Sequence, residues 1–335
     1  MDTIRTNIEN RIIPILDKAG MYYRIFSRVK STSSIQRNSS QCRNINLEFP
    51  FSRYMRCQFR VQGMNTFQNQ NRIIFYFQED VNIFYEKLKC MEGYDKNNES
   101  NSLEELKELS DIIEGLDGKD SNQGMLKKLL PFHDKIFMPQ RLNIVMNMNE
   151  QEKNAFQFLL PTLGDYADLI DSTYEIQLRT VLSEGWHEIE HDLRYKTKDE
   201  TWWNFCTEES RMLNGIYAAL ETNERALSQM IEELTYKNYK NHSWDAMIRF
   251  HFCKRMTEDK LSPDICSILD DDDRVAKDIL HVTRAEFTEW LWAIPHKISL
   301  STQFALFLIN RKKLNNGTIL SIEPEPIRMI LDKLG

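Results

Sequence analysis

The chain has 335 residues, 41% of them hydrophobic and 11% aromatic, enough apolar material to fill one large domain or two ordinary ones; a disordered chain is excluded. The net charge of −7 hides an asymmetry: residues 1–60 carry eleven Lys/Arg against four acids, net +7, which leaves −14 on the remainder. An acidic body argues against binding duplex DNA, which needs many backbone phosphates neutralised, and points any search for phosphate to the basic end. The six scattered cysteines form no CxxC pair, no charged-then-apolar leader opens the chain, and the stretch Ile298 to Asn310 is too short and polar to span a bilayer. A cytoplasmic protein without disulfides, zinc or membrane contact is expected.

In chain order, residues 1 to 23 predict an amphipathic helix interrupted near Pro14 and stopped at Gly20. The segment Arg28 to Ser40 sets Arg28, Lys30 and Arg37 among serines and a threonine, a composition that suits helix capping, phosphate oxygens or a solvated basic loop. RIIFYF (Arg72 to Phe77) predicts a strand, and Val81, Phe84, Tyr85 and Leu88 then recur at helical spacing. From Asp95 to Gly124 the composition turns polar around one predicted helix, Ser102 to Glu114, and reads as a mobile insertion. Arg141 to Met148 predicts another strand.

YEIQLRTVL (Tyr174 to Leu182) predicts a further strand, and alternation places Tyr174, Ile176 and Leu178 on one face and Glu175, Gln177 and Arg179 on the other. A carboxylate, an amide and a guanidinium thus share a face. The following GWHEIEHDLRYK has Trp186, Ile189 and Leu193 at helical spacing, with His187, His191 and Arg194 on a neighbouring stripe. After Lys196 the signals are helical: Leu213, Ile216, Tyr217, Leu220, Leu227, Met230, Ile231 and Leu234 form one long stripe, and helices are expected at 244–256, 283–294, 298–312 and 325–334. The acidic run Asp270 to Asp273 precedes a helical Arg274 to Leu280 and reads as its cap; Trp290 and Trp292 read as packing residues.

A basic Arg-x-Lys–Ser segment, two strands, a Glu-x-Gln-x-Arg strand and a polar helix, in that order, resemble the synthetase domain of the RelA/SpoT family, the enzymes that make the alarmone (p)ppGpp. Glu175-Ile176-Gln177-Leu178-Arg179-Thr180, then Trp186, Glu190-His191 and Tyr195-Lys196, look like the family's EIQ-hydrophobic-RT, Trp, Glu-His and Tyr-Lys signature. Arg28, Lys30, Ser34 and Ile35 match its Arg-x-Lys-x-x-x-Ser-Ile segment, which in the family binds ATP phosphates, and Glu209 to Ile216 looks like its helical tail. The resemblance covers roughly residues 20 to 235.

It implies an α+β fold, a nucleotidyltransferase-like mixed β-sheet flanked by helices over residues 1–200 with an insertion at 95–124, followed by an α-helical C-terminal module over 201–335. The implied reaction moves a pyrophosphate from ATP, or another NTP, to a ribose 3′-hydroxyl. The catalytic residues would be Glu175, Gln177, Arg179 and His191, with Glu175 holding Mg²⁺; nucleotide contacts would come from Arg28, Lys30, Ser34, Arg37, Arg72, Arg141, Asn143, Tyr195 and Lys196. The plainer alternative for Glu175 is an exposed sheet residue paired with Arg179, and for His191 a helix residue bracing the strand. Three departures stand out. Phe67 and Gln70 occupy the family's Asp-x-x-Gly-x-Arg element, Asn38 replaces its lysine after Ser34, and Pro139 to Asn143 replaces the guanine-positioning Gly-Tyr-x-Ser-x-His.

Three readings follow. The first is a divergent pyrophosphotransferase or nucleotidyltransferase acting on a nucleotide or a tRNA 3′ end, in stress signalling or phage defence, with an antitoxin or nucleotide-hydrolysing partner and room for a homo-oligomer. The second is a degenerate pseudo-synthetase that binds a nucleotide or a partner protein. The third, a metal phosphohydrolase, rests only on the dipeptides His133-Asp134 and His191-Asp192.

Overall fold

The computed structural model describes residues 2–29, 69–101, 142–162, 172–190, 207–258, 260–295 and 298–334. The chain packs as two units, residues 1–9 with 24–223 and residues 10–23 with 224–335. Helix α1 (Asp2–Lys18) runs through Pro14 instead of breaking there. Proline removes one helical N–H, but Pro14 and Asn10, whose carbonyl would have been its acceptor, are both exposed, so the loss falls on the solvent side of the helix where it costs least. Gly20 ends the segment in the left-handed region (φ +60°), where an added Cβ would lie 2.8 Å from Leu300 Cδ2, and its carbonyl accepts from Arg255 N (2.6 Å).

The first unit is built on a five-stranded mixed sheet. Strand β1 (Tyr23–Val29) occupies the start of the basic segment, which the sequence reads as loop or helix start; β2 (Asn69–Phe75) begins three residues before Arg72. Helix α2 (Gln78–Lys89) forms as expected, with Val81, Phe84 and Leu88 buried. Strand β3 (Tyr94–Asn101) corrects the reading of an insertion beginning at Asp95: this polar segment pairs antiparallel with β4 (Leu142–Asn147). It lies at one edge of the sheet, where polar residues are tolerated because half of the strand faces no neighbour. The helix expected at Ser102 to Glu114 lies outside the described residues.

Helix α3 (Glu150–Leu159) opens with a capping box in which Asn149 and Glu152 exchange side-chain to backbone hydrogen bonds of 2.8 Å. Strand β5 (Thr173–Thr180) follows, and the sheet order is β1-β2-β5-β4-β3, with β5 parallel to β2 and antiparallel to β4. Tyr174, Ile176 and Leu178 are buried together with Ile73, Phe75, Ile144 and Met146, and Phe84 of α2 packs on Phe75 at 5.6 Å between ring centroids. Helix α4 (Val181–Glu190) starts without a loop because Thr180 and Ser183 cap each other: Ser183 N–H donates to Thr180 Oγ1 (3.2 Å), and Thr180 N–H to Ser183 Oγ (3.0 Å). Its buried side is Ser183, Trp186 and His187; Ile189, at helical spacing from Trp186, is exposed.

The rest of the chain is helical. Helix α5 (Thr207–Lys240) carries the long apolar stripe, but the stripe divides: Tyr217 and Ile231 are buried, whereas Ile216, Leu227 and Met230 are exposed. The helices α6 (Trp244–Phe252), α7 (Pro263–Asp271), α8 (Asp273–Leu280), α9 (Arg284–Ala293), α10 (Thr302–Ile309), α11 (Gly317–Ser321) and α12 (Glu325–Leu331) enclose a core that includes Phe252 and Phe287, whose rings lie 4.2 Å apart. The acidic run serves structure, as expected: Asp272 caps α8 by accepting from Arg274 N (3.1 Å), and Asp270 accepts from Trp244 Nε1 (2.9 Å). Trp290 packs against the core, and Trp292 Nε1 donates to Ile15 O (2.9 Å).

Two predictions follow from this packing. A Cβ at Gly93 (φ +94°) would sit 2.2 Å from Asn147 O, so Gly93→Ala should destabilise the β3–β4 pairing by more than about 1 kcal/mol, measurable by urea unfolding. His251 is partly buried and its Nε2 contacts Val282 O (2.8 Å); loss of hydration, aided by nearby Arg284, pushes its pKa below the ordinary value. A depressed histidine pKa means that the unfolded chain takes up the proton first. Stability is therefore retained above about pH 6.5 and lost as the pH falls below it. Melting curves at pH 7.5 and 5.5 should show a drop that is smaller in His251→Gln.

Candidate functional site

The site begins with the register of three strands. Gln177 of β5 lies between Arg72 of β2 and Asn143 of β4, and Glu175 between Gln70 and Val145. Glu175, Gln177 and Arg179 therefore share the sheet face opposite Tyr174, Ile176 and Leu178, as alternation predicts. Glu175 is only 4% exposed and Gln177 8%. Such burial is costly for polar groups unless they are partnered, and here they form a row: Gln177 Nε2 donates to Glu175 Oε1 (3.1 Å), and Arg179 Nη2 donates to Gln177 Oε1 (3.2 Å). Glu175 is thus buried, not the exposed sheet residue of the plainer alternative.

Arg179 instead donates through Nη1 to Glu184 Oε2 (2.9 Å) on the first turns of α4. The other oxygen of Glu184 accepts from Arg72, whose guanidinium also bonds Glu188 one helical turn further on. Burial by itself would lower the Arg72 pKa, but Glu184 and Glu188 outweigh it and raise the value above that of an ordinary arginine. The direct coupling between strand and helix allows this. Because Thr180 caps α4 with no intervening loop, Glu184 arrives within reach of both arginines.

Glu184, Glu188 and Arg72 also line a cleft of about 640 Å³, a volume suited to a nucleotide-sized ligand. Its other walls are Arg24, Phe26 and Ser27 of β1, Ile74 of β2, and Val181 and Gly185 of α4. Phe26 is 55% exposed, and the Arg24 guanidinium lies 5.9 Å from the Tyr76 ring centroid. Ser27 Oγ reaches the neighbouring strand by donating to Asn71 Oδ1 (2.8 Å). Trp186 anchors α4 through Nε1 to Leu213 O (3.1 Å) and ring contact with Tyr217 at 5.0 Å. Position 215 in the adjoining α5, a glycine, has open space around it.

Of the expected site residues, the structure brings Glu175, Gln177, Arg179 and Arg72 together and places Asn143 beside Gln177, where Asn143 Oδ1 is buried without a hydrogen-bond partner. Arg28 follows Phe26 by two positions in β1. Lys30, Ser34, Arg37, Arg141, His191, Tyr195 and Lys196 lie outside the described residues, as do Phe67 and His133. Arg24, Phe26, Glu184 and Glu188 are cleft residues that the sequence reading did not single out. The i, i+4 spacing of Glu184 and Glu188 was the available signal.

Among the described residues no group of three or more His, Cys, Asp and Glu side chains is placed to hold a metal, and no helix is long and apolar enough to cross a membrane. No family model matches the chain, and no curated protein matches it. Solved structures similar to it include the small alarmone synthetase 1 from Bacillus subtilis, at 14% identity over 69% of this chain and 93% of that one, with a TM-score of 0.37. The small alarmone synthetase 2 from Bacillus subtilis is 16% identical over 69% of this chain and 92% of that one (TM-score 0.38). A GTP pyrophosphokinase family protein from Streptococcus pneumoniae is 12% identical over 69% and 89%, again with a TM-score of 0.38.

The two carboxylates should differ in weight. Glu184, whose side chain is 12% exposed, bridges two arginines, so Glu184→Gln should cost about 1–3 kcal/mol in urea unfolding. Glu188, at 59%, is open to solvent, and Glu188→Gln should cost no more than about 0.5 kcal/mol.

Proposed function

We propose that the chain is a divergent nucleotide pyrophosphotransferase or nucleotidyltransferase, which moves a phosphoryl-containing group from ATP or another NTP to a nucleotide or to a tRNA 3′ end. The observation that carries this reading is the buried row Glu175–Gln177–Arg179, continued by Glu184 to Arg72 at the wall of a nucleotide-sized cleft. A sheet face needs no such row to fold, since polar groups placed there must recover their hydration through partners. Its motif is the one that resembles the RelA/SpoT signature.

The donor chemistry at Glu175 is one buried carboxylate, which fits Mg²⁺ arriving with nucleotide phosphates, because that ion is commonly held by one or two carboxylates and substrate oxygens. When bound, the ion would offset charge on the transferred group. Gln177 holds the Glu175 carboxylate in place, and Arg179 in turn fixes the Gln177 amide. Arg179 and Arg72 supply positive charge toward the phosphates, and an incoming anion competes with Glu184 and Glu188 for Arg72. Asn143 Oδ1 offers an unmatched acceptor beside this row.

The pseudo-synthetase reading is favoured by one specific observation, that Arg72 is already satisfied by two carboxylates. Stress signalling or phage defence, and an antitoxin or nucleotide-hydrolysing partner, belong to the transferase reading.

Labelled ATP incubated with each nucleotide and separately with tRNA should yield a labelled transfer product. Glu175→Gln should lower its formation by roughly 10²–10³-fold while the circular dichroism spectrum is unchanged. Turnover in that variant equal to wild type would sink the assignment of Glu175. Nucleotide binding without any product in the wild type would select the pseudo-synthetase.

A further inference from the structure

Helix α4 carries a glycine in its interior, Gly185. Glycine there weakens a helix relative to alanine, because it loses more backbone freedom on folding, so a reason for it is sought in what a side chain would meet. No collision supplies one: a Cβ built at Gly185 meets nothing within 4 Å among the described residues, and the residue is exposed. What the missing side chain leaves open is the cleft, whose wall Gly185 lines. At about 100° per residue, Glu184 and Gly185 fall on either side of Val181 around the axis of α4. The helix wall therefore grades from the carboxylate that holds Arg72 and Arg179, past Val181, which is 42% exposed, to a turn of bare backbone. Strand β1 adds Phe26 to the same cleft, 55% exposed.

We propose that Gly185 is a specificity-determining residue of this cleft: its bare turn gives clearance to a flat ring, the base of a nucleotide, which packs on Phe26 and Val181 while the phosphates extend toward Arg72 and Arg179. The proposal rests on the nucleotide reading above and adds to it which end of the ligand each wall receives. A base is apolar on both faces, so an exposed phenylalanine and an aliphatic side chain hold it by stacking and contact whatever its hydrogen-bonding edge. A ring can approach a helix closely only where no Cβ stands in its way, and Gly185 is the position on this wall that has none. Phosphates need cationic donors, and both arginines bonded to Glu184 lie on the other side of Val181 from Gly185. The reversed orientation would set phosphate against Phe26 and Val181, which offer it no donor, and the base against paired ions.

Calorimetric titration of the full chain with ATP and with inorganic tripolyphosphate separates the ring from the phosphates; tripolyphosphate should bind more weakly than ATP for want of the base. Gly185→Ala should raise the melting temperature, since alanine favours the helix, yet weaken ATP about threefold, and Gly185→Leu should weaken it at least about tenfold. Both variants should bind tripolyphosphate as the wild type does. Phe26→Ala should weaken ATP about tenfold and likewise spare tripolyphosphate. Gly215→Ala is the control: it too replaces a helix-interior glycine with open space around it, away from the cleft wall, and should stabilise the chain with ATP binding unchanged. Gly185→Leu that binds ATP like the wild type, or that loses tripolyphosphate in the same proportion, would overturn the proposal. So would a melting temperature lowered by Gly185→Ala, which would make the glycine a requirement of the fold, or a wild type that binds no nucleotide. ATP binding with the expected pattern but no transfer product removes the transferase reading and leaves this one; product formation with an unchanged ATP affinity in Gly185→Leu does the reverse.

Discussion

The site depends on one constraint: charges placed against a sheet must meet partners, because each loses hydration that only a neighbouring ion or dipole returns. Glu184 meets this demand for two arginines at once, Arg179 on its own strand–helix unit and Arg72 on the adjacent strand β2. That single carboxylate ties β2 to β5 across the polar face and fixes where α4 crosses the sheet. Gln177 extends the pairing to Glu175, so the buried acid, the amide and the two guanidinium groups form one connected set. Such a set holds its members in place only while all of them are satisfied.

The fold delivers these groups through two local devices. Parallel pairing of β2 with β5 sets Arg72 beside Gln177, and the reciprocal capping of Thr180 and Ser183 lets α4 leave the strand without a loop. The opposite sheet face is apolar and packs on α2, so the sheet has a dry side that supplies stability and a polar side that supplies chemistry. Arg24 and Phe26 of β1 then complete the cleft wall.

The helical part of the chain follows a plainer logic. Its core is continuous, its caps are local, and within the acidic run Asp272 caps a helix and Asp270 accepts from a tryptophan indole. Helix α5 departs from that economy, because a helix needs only one apolar face to join a core and this one has two.

The sequence by itself determined the alternation of Tyr174 to Thr180, the helices at Val81 to Leu88 and after Trp244, and the capping role of the aspartates. These signals are local, set by side-chain period and by hydrogen bonds within a few residues. It also determined the motif, since Glu175, Gln177 and Arg179 must share a face in any strand. Only the tertiary structure decided that Arg179 pairs with Glu184, that Arg72 joins the same carboxylate, and that a polar segment after Gly93 becomes an edge strand. Each depends on which strand lies beside which. Gly93 and Asn147, or Arg72 and Glu184, are distant in sequence; the pairing of β3 with β4 brings the first two together, and the pairing of β2 with β5, which α4 leaves without a loop, brings together the second two. The two faces of α5 follow the same division: its periodicity is written in the sequence, and packing determined which face would stay in water.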